Sequence, residues 1–250
     1  MQYDLAGKRA VISGGTSGIG LATAQLMVSD GAEVYLVGRS KAKGSAACAA
    51  LGHSELVHYV QADISTVAGC ATVADVLQAA GVPVDILVNA AGIYQEQRLE
   101  RVTEADYTAI MDVNVKGVLF LTQALLPLIT RAGDAAIINI ASDAALEGNY
   151  GCPVYCASKG AVVALTRALA LDYAPKIRVN CLCPGDVATP LVAAQVAAGG
   201  YTVEEMAAPY PLERIGRAEE IAHVVCSVAS PRNGFMTGAV LAVDGGLSAK

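Results

Sequence analysis

The segment Arg9-Ala10-Val11-Ile12-Ser13-Gly14-Gly15-Thr16-Ser17-Gly18-Ile19-Gly20 runs from an apolar stretch through a glycine-rich turn into a helical pattern. Residues 9–13 read as a buried strand and 19–30 as the helix that follows. A turn of this composition suits a dinucleotide. Its pyrophosphate must approach the backbone closely, only glycine leaves that space, and free N–H groups with the helix dipole then face the anion. The spacing is Gly14-x3-Gly18-x-Gly20 rather than G-x-G-x-x-G, and the alternative reading is a tight β–α turn with no ligand. Its place at the first strand–helix junction favours the cofactor.

Outward from this turn, short β-branched runs alternate with longer helical patterns. Strands are expected at 33–37, 56–61 and 86–89, with helices at 41–51 and 66–80 between them. A long helix at 104–131 follows, then a strand at 136–141, a helix at 153–174 and a strand at 178–182. A short helix at 219–229 and a last strand at 239–243 close the series. The alternation predicts an α/β chain: a single-domain Rossmann fold spanning 1–250, with a doubly wound, mostly parallel sheet of about seven strands and helices on both faces. The one irregular stretch, 189–217, contains Gly199-Gly200 and three prolines at 190, 209 and 211. It is expected to be a lid over the substrate, the alternative being an exposed insertion with a helix of its own.

Composition narrows the function classes. The 250 residues carry 17 Lys+Arg and 23 Asp+Glu, a net charge of −6, and 54% are hydrophobic. That content excludes disorder, and without a basic excess no nucleic-acid partner is expected. The start, Met1-Gln2-Tyr3-Asp4, lacks the pattern of a signal peptide. The apolar runs at 118–129 and 161–174 are broken by polar residues and fall short of the roughly 20 residues of a membrane span. Seven cysteines without zinc spacing read as reduced core or loop thiols. A cytoplasmic protein is the expectation.

The end of the second strand reads Val37-Gly38-Arg39-Ser40. An NAD site usually places an acid here for the ribose hydroxyls. Glycine takes that position and arginine follows, which suits the 2′-phosphate of NADP(H), with NAD(H) possible and a solvated loop arginine as the alternative. Ser17 is neutral where a second basic residue could have helped. Further on, Tyr155-Cys156-Ala157-Ser158-Lys159 sets a phenol and an ammonium at i and i+4 on one helix face. A phenol titrates near 10, and bringing it to about 7 takes about 4 kcal/mol from a neighbour such as that ammonium.

Taken with the residues around it, this pair makes the chain resemble the classical short-chain dehydrogenase/reductase family along essentially its whole length. The matching positions are Gly14, Gly18 and Gly20, Asp63 after the third strand, Asn89-Ala90-Ala91-Gly92 after the fourth, and Asn114. Ser142, Tyr155 and Lys159, then Pro184-Gly185 with Thr189, and Thr237-Gly238 with Asp244-Gly245-Gly246 complete the series. The resemblance implies that Tyr155 is the general acid/base and that Ser142 hydrogen-bonds the same substrate oxygen. Lys159 would lower the Tyr155 pKa and hold the nicotinamide ribose, and Asn114 would brace a water leading from Lys159 to solvent. Asp63 with Ile64 would touch the adenine end, and Asn89, Ala90 and Gly92 would lie along the cofactor. Pro184, Gly185, Val187 and Thr189 would hold the nicotinamide end, and Thr16, Ser17 and Ile19 would join the glycines at the pyrophosphate. Ala90 departs from the family, where a second asparagine is frequent.

The implied reaction interconverts a secondary alcohol and a ketone by hydride transfer and needs no metal. The resemblance also implies a homotetramer; the apolar C-terminal run and helices 104–131 and 153–174 would be its contact surfaces, the alternative being that their apolarity is sheet-facing core. A binding-only protein would require a broken tetrad, and Asn114, Ser142, Tyr155 and Lys159 are all present. A sugar-nucleotide epimerase would show a G-x-x-G-x-x-G turn and a longer C-terminal domain. A Ser-His-Asp hydrolase would need a G-x-S-x-G elbow, and His53, His58 and His223 match no such motif. The substrate pocket is expected over the strand ends, from residues 93–97, 143–152, Asp186 and the lid, where Tyr94, Gln95, Glu147, Asn149 and Tyr150 favour a polyol or sugar-like ketone. Leu191, Val192 and Met206 equally favour an apolar cyclic or steroid-type one.

Overall fold

Alternation within β1 (Arg9–Ser13) sets the layering: Ala10 and Ile12 enter the core on one side of the sheet and Val11 the core on the other. Successive side chains of a strand point to opposite faces, so a strand apolar at every position must be covered twice. The computed structural model describes residues 2–52, 55–199 and 201–249; His53 and Gly200 lie outside them. β1 leads through the turn into α1 (Gly18–Ser29), and β2 (Glu33–Gly38), α2 (Lys41–Leu51), β3 (Val57–Gln61), α3 (Val67–Ala79) and β4 (Ile86–Asn89) follow. Next come α4 (Glu104–Met111), α5 (Gly117–Ile129), β5 (Ala135–Ile140), α6 (Pro153–Tyr173), β6 (Ile177–Pro184) and β7 (Val187–Ala188). The described chain continues with α7 (Pro190–Gly199), α8 (Val203–Ala207), β8 (Gly216–Arg217), α9 (Ala218–Ala229) and β9 (Val240–Val243).

The expected sheet is present. Its seven strands run parallel in the order β3-β2-β1-β4-β5-β6-β9, and β7 pairs with β8 in a separate two-stranded piece. α1, α2 and α9 cover one face through Met27, Leu51 and Val225, and α3 and α5 cover the other through Val73, Leu77, Leu121 and Leu125. The strand order reverses between β1 and β4, and a cleft opens there beyond the carboxyl ends of the strands.

Three expectations change. The helix expected at 104–131 is interrupted at Asp112–Lys116 by a π-helical turn, which carries Asn114. The irregular stretch 189–217 holds α7 and α8 and both its ends are pinned, β7 lying just before it and β8 closing it. The reading that no segment could span a membrane also fails on length and composition, because Glu104–Ile129 and Pro153–Tyr173 are both long and apolar enough. Both lie against the sheet, however. Leu121, Leu125, Leu128 and Ile129 of the first, and Val162, Val163 and Ala170 of the second, are buried in the core.

The amino terminus is tied down by Asp30, a buried carboxylate just past α1 that accepts the backbone N–H groups of Gln2, Tyr3 and Leu5. Burial alone would raise its pKa, but these bonds prevail and hold it below the usual carboxylate range. A lowered folded-state pKa stabilises the fold above the unfolded value near 4, and that contribution disappears as the pH falls through the folded value. Asp30→Ala strands buried donors and is expected to cost about 2–3 kcal/mol. Urea denaturation at pH 7 would measure the loss, and at pH 3 the gap between the two proteins should narrow.

Candidate active site

The glycine turn is shaped for close approach. Gly14 sits at φ +68°, and a Cβ there would come within 2.8 Å of the Ala91 Cα; a Cβ on Gly20 would come within 2.5 Å of the Gly14 carbonyl oxygen. Gly18 is also left-handed, at φ +53°. Ser17 occupies the N-cap position of α1, yet its side chain caps no N–H group and the first turn carries no acid. By contrast Ser40, Thr66 and Thr103 each cap their own helices. Uncapped helix N–H groups beside a glycine-lined hollow suit a phosphate. Gly14→Ala is expected to lower the melting temperature of the ligand-free protein and to abolish dinucleotide binding, since the strained φ and the backbone overlap add. Thermal denaturation with and without dinucleotide reads both effects.

The cleft has two connected parts. A hollow of about 300 Å³ is walled by Gly14, Thr16, Ser17, Gly18, Ile19 and Gly20 together with Arg39, Asp63, Ile64, Ala90 and Gly92. Ile19, Ala90, Gly92 and Thr189 continue into a second cavity of about 480 Å³, whose walls include Ser142, Tyr155, Lys159, Pro184, Gly185 and Val187. Arg39 lies exposed at the mouth of the first hollow. Asp63 accepts the Ser65 hydroxyl and backbone N–H. Burial opposes its ionisation, but those bonds and the charges of Arg39 and Lys116 hold its carboxyl below the usual range.

Asn89, expected along the cofactor, and Asn114, expected to brace a water beyond Lys159, line neither cavity. Asn89 is turned into the sheet, where it donates to Asn139 Oδ1 at 2.8 Å and Thr122 Oγ1 at 3.2 Å, and Asn139 in turn donates to Thr166. This places the Asn89 side chain in a polar ladder that ties β4 to β5 and α6. Asn114 is fully buried and spans the Ile93 backbone, accepting its N–H at 2.9 Å and donating to its carbonyl at 3.0 Å. It also donates to Ser158 Oγ at 3.1 Å, and Ser158 donates to the Tyr155 carbonyl at 2.7 Å. The π turn thereby clamps the loop after β4 to the turn of α6 that carries Tyr155.

Tyr155 and Lys159 face the larger cavity from α6, with the Lys159 Nζ 5.7 Å from the centre of the phenol ring and donating to the Ile140 carbonyl at 2.9 Å. A Cβ on Gly92 would sit 3.4 Å from that Nζ, so the glycine keeps the approach to Lys159 open. Burial pushes the Tyr155 phenol above its ordinary range, and its hydrogen bond with Ser142 works the other way. Burial brings the Lys159 ammonium down to about 8. Each charged form is disfavoured alone, so a phenolate here depends on a protonated Lys159 beside it. Tyr94 packs edge-on against Tyr155, with centroids 5.0 Å apart.

The sequence reading missed one charged group of the first hollow. Lys43 lines the first hollow next to Arg39 and supplies a second positive charge from the start of α2; its signal was the helical spacing from Ser40. Asp143 and Asp186, expected at the pocket, line the larger cavity, as do Tyr201 and Gln195 of the expected lid. Of the substrate-reading residues expected, Tyr94, Asn149, Tyr150, Leu191, Val192 and Met206 line it, and Glu147 does not. Gln95 donates to Asp106 and lines a neighbouring cleft instead.

Comparison with known proteins follows the same outline. A family model described as Enoyl-(Acyl carrier protein) reductase matches residues 14–248. The chain is 37% identical to an NADP-dependent (R)-specific alcohol dehydrogenase of Lentilactobacillus kefiri, over 98% of both chains. It is 35% identical to a 3-oxoacyl-(acyl-carrier-protein) reductase of Thermotoga maritima, over 97% of this chain and 98% of the other. Among solved structures, a short-chain dehydrogenase/reductase of Brucella melitensis titled glucose/ribitol dehydrogenase superposes with a TM-score of 0.92 at 33% identity, over 99% of each chain. The aldohexose dehydrogenase of Thermoplasma acidophilum, in ligand-free form, superposes at 0.88 with 31% identity, over 99% of this chain and 96% of the other. With a whole-length match at this level in sequence and in structure, the chain belongs to the short-chain dehydrogenase/reductase family of NAD(P)-using oxidoreductases.

Proposed function

We propose that the protein interconverts a secondary alcohol and a ketone, with NADP(H) preferred over NAD(H) and Tyr155 as the general acid/base. One observation carries this reading: Ser142, Tyr155 and Lys159 converge on a cavity that is continuous with the glycine-lined hollow. The cofactor fits the residues present. Gly14, Thr16, Ser17, Gly18, Ile19 and Gly20 would hold the pyrophosphate, and Arg39, with Lys43, the 2′-phosphate. Asp63 and Ile64 would flank the adenine, and Ala90, Gly92, Pro184, Gly185, Val187 and Thr189 the nicotinamide end. When bound, the nicotinamide supplies or accepts the hydride.

The chain's own residues do the rest. Tyr155 and Ser142 fix the substrate oxygen, and Tyr155 gives it a proton in reduction or takes one in oxidation. Lys159 stabilises the phenolate and holds the ribose, and Asn114 keeps the Tyr155 turn in register with the loop after β4. The segment 189–217 acts as the lid, since Leu191, Val192 and Gln195 of α7 already form part of the cavity wall. Exposed apolar side chains on α5 and α6, Leu119 and Leu171, favour association into a homotetramer. Seven free cysteines suit a reducing cytoplasm.

The test is consumption of NADPH and NADH by the purified protein with a panel of small and medium ketones. Steady ketone-dependent consumption, faster with NADPH, is expected. Binding of both nucleotides with no turnover of any ketone or alcohol would overturn the reading in favour of a binding protein.

A further inference from the structure

The larger cavity carries more carboxylates than cations. Asp143 is 5% exposed, and both hydrogen bonds that it accepts, from Ser142 Oγ at 2.6 Å and Ala144 N at 2.8 Å, end on Oδ1. Among the described contacts none reaches Oδ2, although Asp143 is part of the cavity wall. Gln195, on the same wall, holds a buried Oε1 with no hydrogen-bond partner. Asp186, Glu96 and Glu205 add three further carboxylates, and among the described lining residues Lys159 is the one cation. That ammonium is taken up by the Ile140 carbonyl beside Tyr155. Burial raises the carboxyls of both Asp143 and Asp186, and Asp186 pushes Asp143 up further.

Buried carboxylates without a positive partner are costly, and orphan acceptors cost more than satisfied ones. A ligand that relieves both must bring several donors and a positive charge. A protonated amine has three donors and no acceptor, whereas a hydroxyl brings one donor and no charge. Tyr94 and Tyr201 line the same cavity, and aromatic faces attract a desolvated ammonium. Asp143 directly follows Ser142, so the charged group it meets lies close to the reacting carbonyl.

We infer that Asp143 and Asp186 recognise a protonated amine on the substrate, making the substrate class an amino ketone and its amino alcohol, with the amine near the reacting carbon. This rests on the alcohol–ketone reading above. In reduction the carbonyl carbon gains a hydride from the reduced nicotinamide and its oxygen gains a proton from Tyr155, while the amine is unchanged. Carboxylate-bearing ketones are repelled by the same wall.

The experiment measures kcat/KM with NADPH for aminoacetone and 2-amino-1-phenylethanone, each against its 2-hydroxy analogue, with 3-oxobutanoate as the anionic member. The amine is expected to exceed the matching hydroxyketone at least tenfold in one pair or both, and the anion to be the poorest substrate. Asp186→Asn and Asp143→Asn, checked for folding by circular dichroism, should each bring the amine-to-hydroxyl ratio down about tenfold, chiefly through KM. Equal or better use of the hydroxyketones, or an unchanged ratio in both variants, would overturn the amine assignment and leave the alcohol–ketone reading standing. No turnover of any ketone would overturn both.

Discussion

Tyr155→Phe is expected to lower turnover by about 10²- to 10⁴-fold, the range for loss of a positioned general acid or base, while leaving NADPH affinity within about threefold. The substitution removes one oxygen from a half-buried ring on the wall of the larger cavity. Tyr94 still meets the ring edge and α6 keeps its clamp through Ser158 and Asn114, so the fold has no reason to shift. What disappears is the proton. Stopped-flow measurement of the reduction step, beside a fluorescence titration with NADPH, separates chemistry from binding; unchanged turnover would remove Tyr155 from the acid/base role. The pH profile of the wild-type protein adds a second check. Reduction needs the phenol protonated, and burial raises its pKa, so the acidic side should be flat with respect to this group. It also needs Lys159 charged to stabilise the phenolate left behind, and that ammonium titrates at about 8. The rate is therefore expected to fall as the pH rises through about 8.

How much of this site could be read from residues alone depended on whether the determinant was local. The strands were legible because a parallel sheet covered on both faces needs near-continuous apolar runs, such as residues 86–88 and 135–138. The glycine turn was legible because left-handed backbone and close approach leave few residue choices, and Tyr155 with Lys159 because i and i+4 share a helix face. The π turn at Asp112–Lys116 was not legible. Its sequence has ordinary helical spacing, and the bulge is held by bonds from Asn114 to Ile93 and Ser158, residues 21 and 44 positions away. Asn89 follows the same logic, since its side-chain direction is decided by the register of β4 against β5, where it lies opposite Asn139. Asp143 and Asp186 were legible as pocket residues because both follow strand ends, but the coupling of their charges was not, since they come from two different strands and meet only once the sheet is formed.

Gly38→Asp is expected to reverse the dinucleotide preference, weakening NADPH by at least about a hundredfold and strengthening NADH. Gly38 ends β2 at the hollow, directly before Arg39, and it is the position where an acid would accept the ribose hydroxyls. A carboxylate there faces the 2′-phosphate with like charge and removes much of what Arg39 contributes. A Cβ on Gly38 would lie 3.2 Å from Thr16 Cγ2, so Thr16 must give way by a few tenths of an ångström. That is tolerable for a side chain at the mouth of the cleft. Arg39→Ala tests the attractive half separately. Loss of one charge-assisted contact of about 1.5–3 kcal/mol corresponds to roughly ten- to hundredfold weaker NADPH, with NADH nearly unchanged. Lys43 remains in that variant, so a residual NADPH preference that vanishes on adding Lys43→Ala, and that weakens with salt, would assign the remainder to it. Paired titrations of NADPH and NADH at fixed ionic strength decide the matter. A wild-type protein that binds NADH more tightly, or an Arg39→Ala variant that loses nothing toward NADPH, would mean that the guanidinium points into solvent.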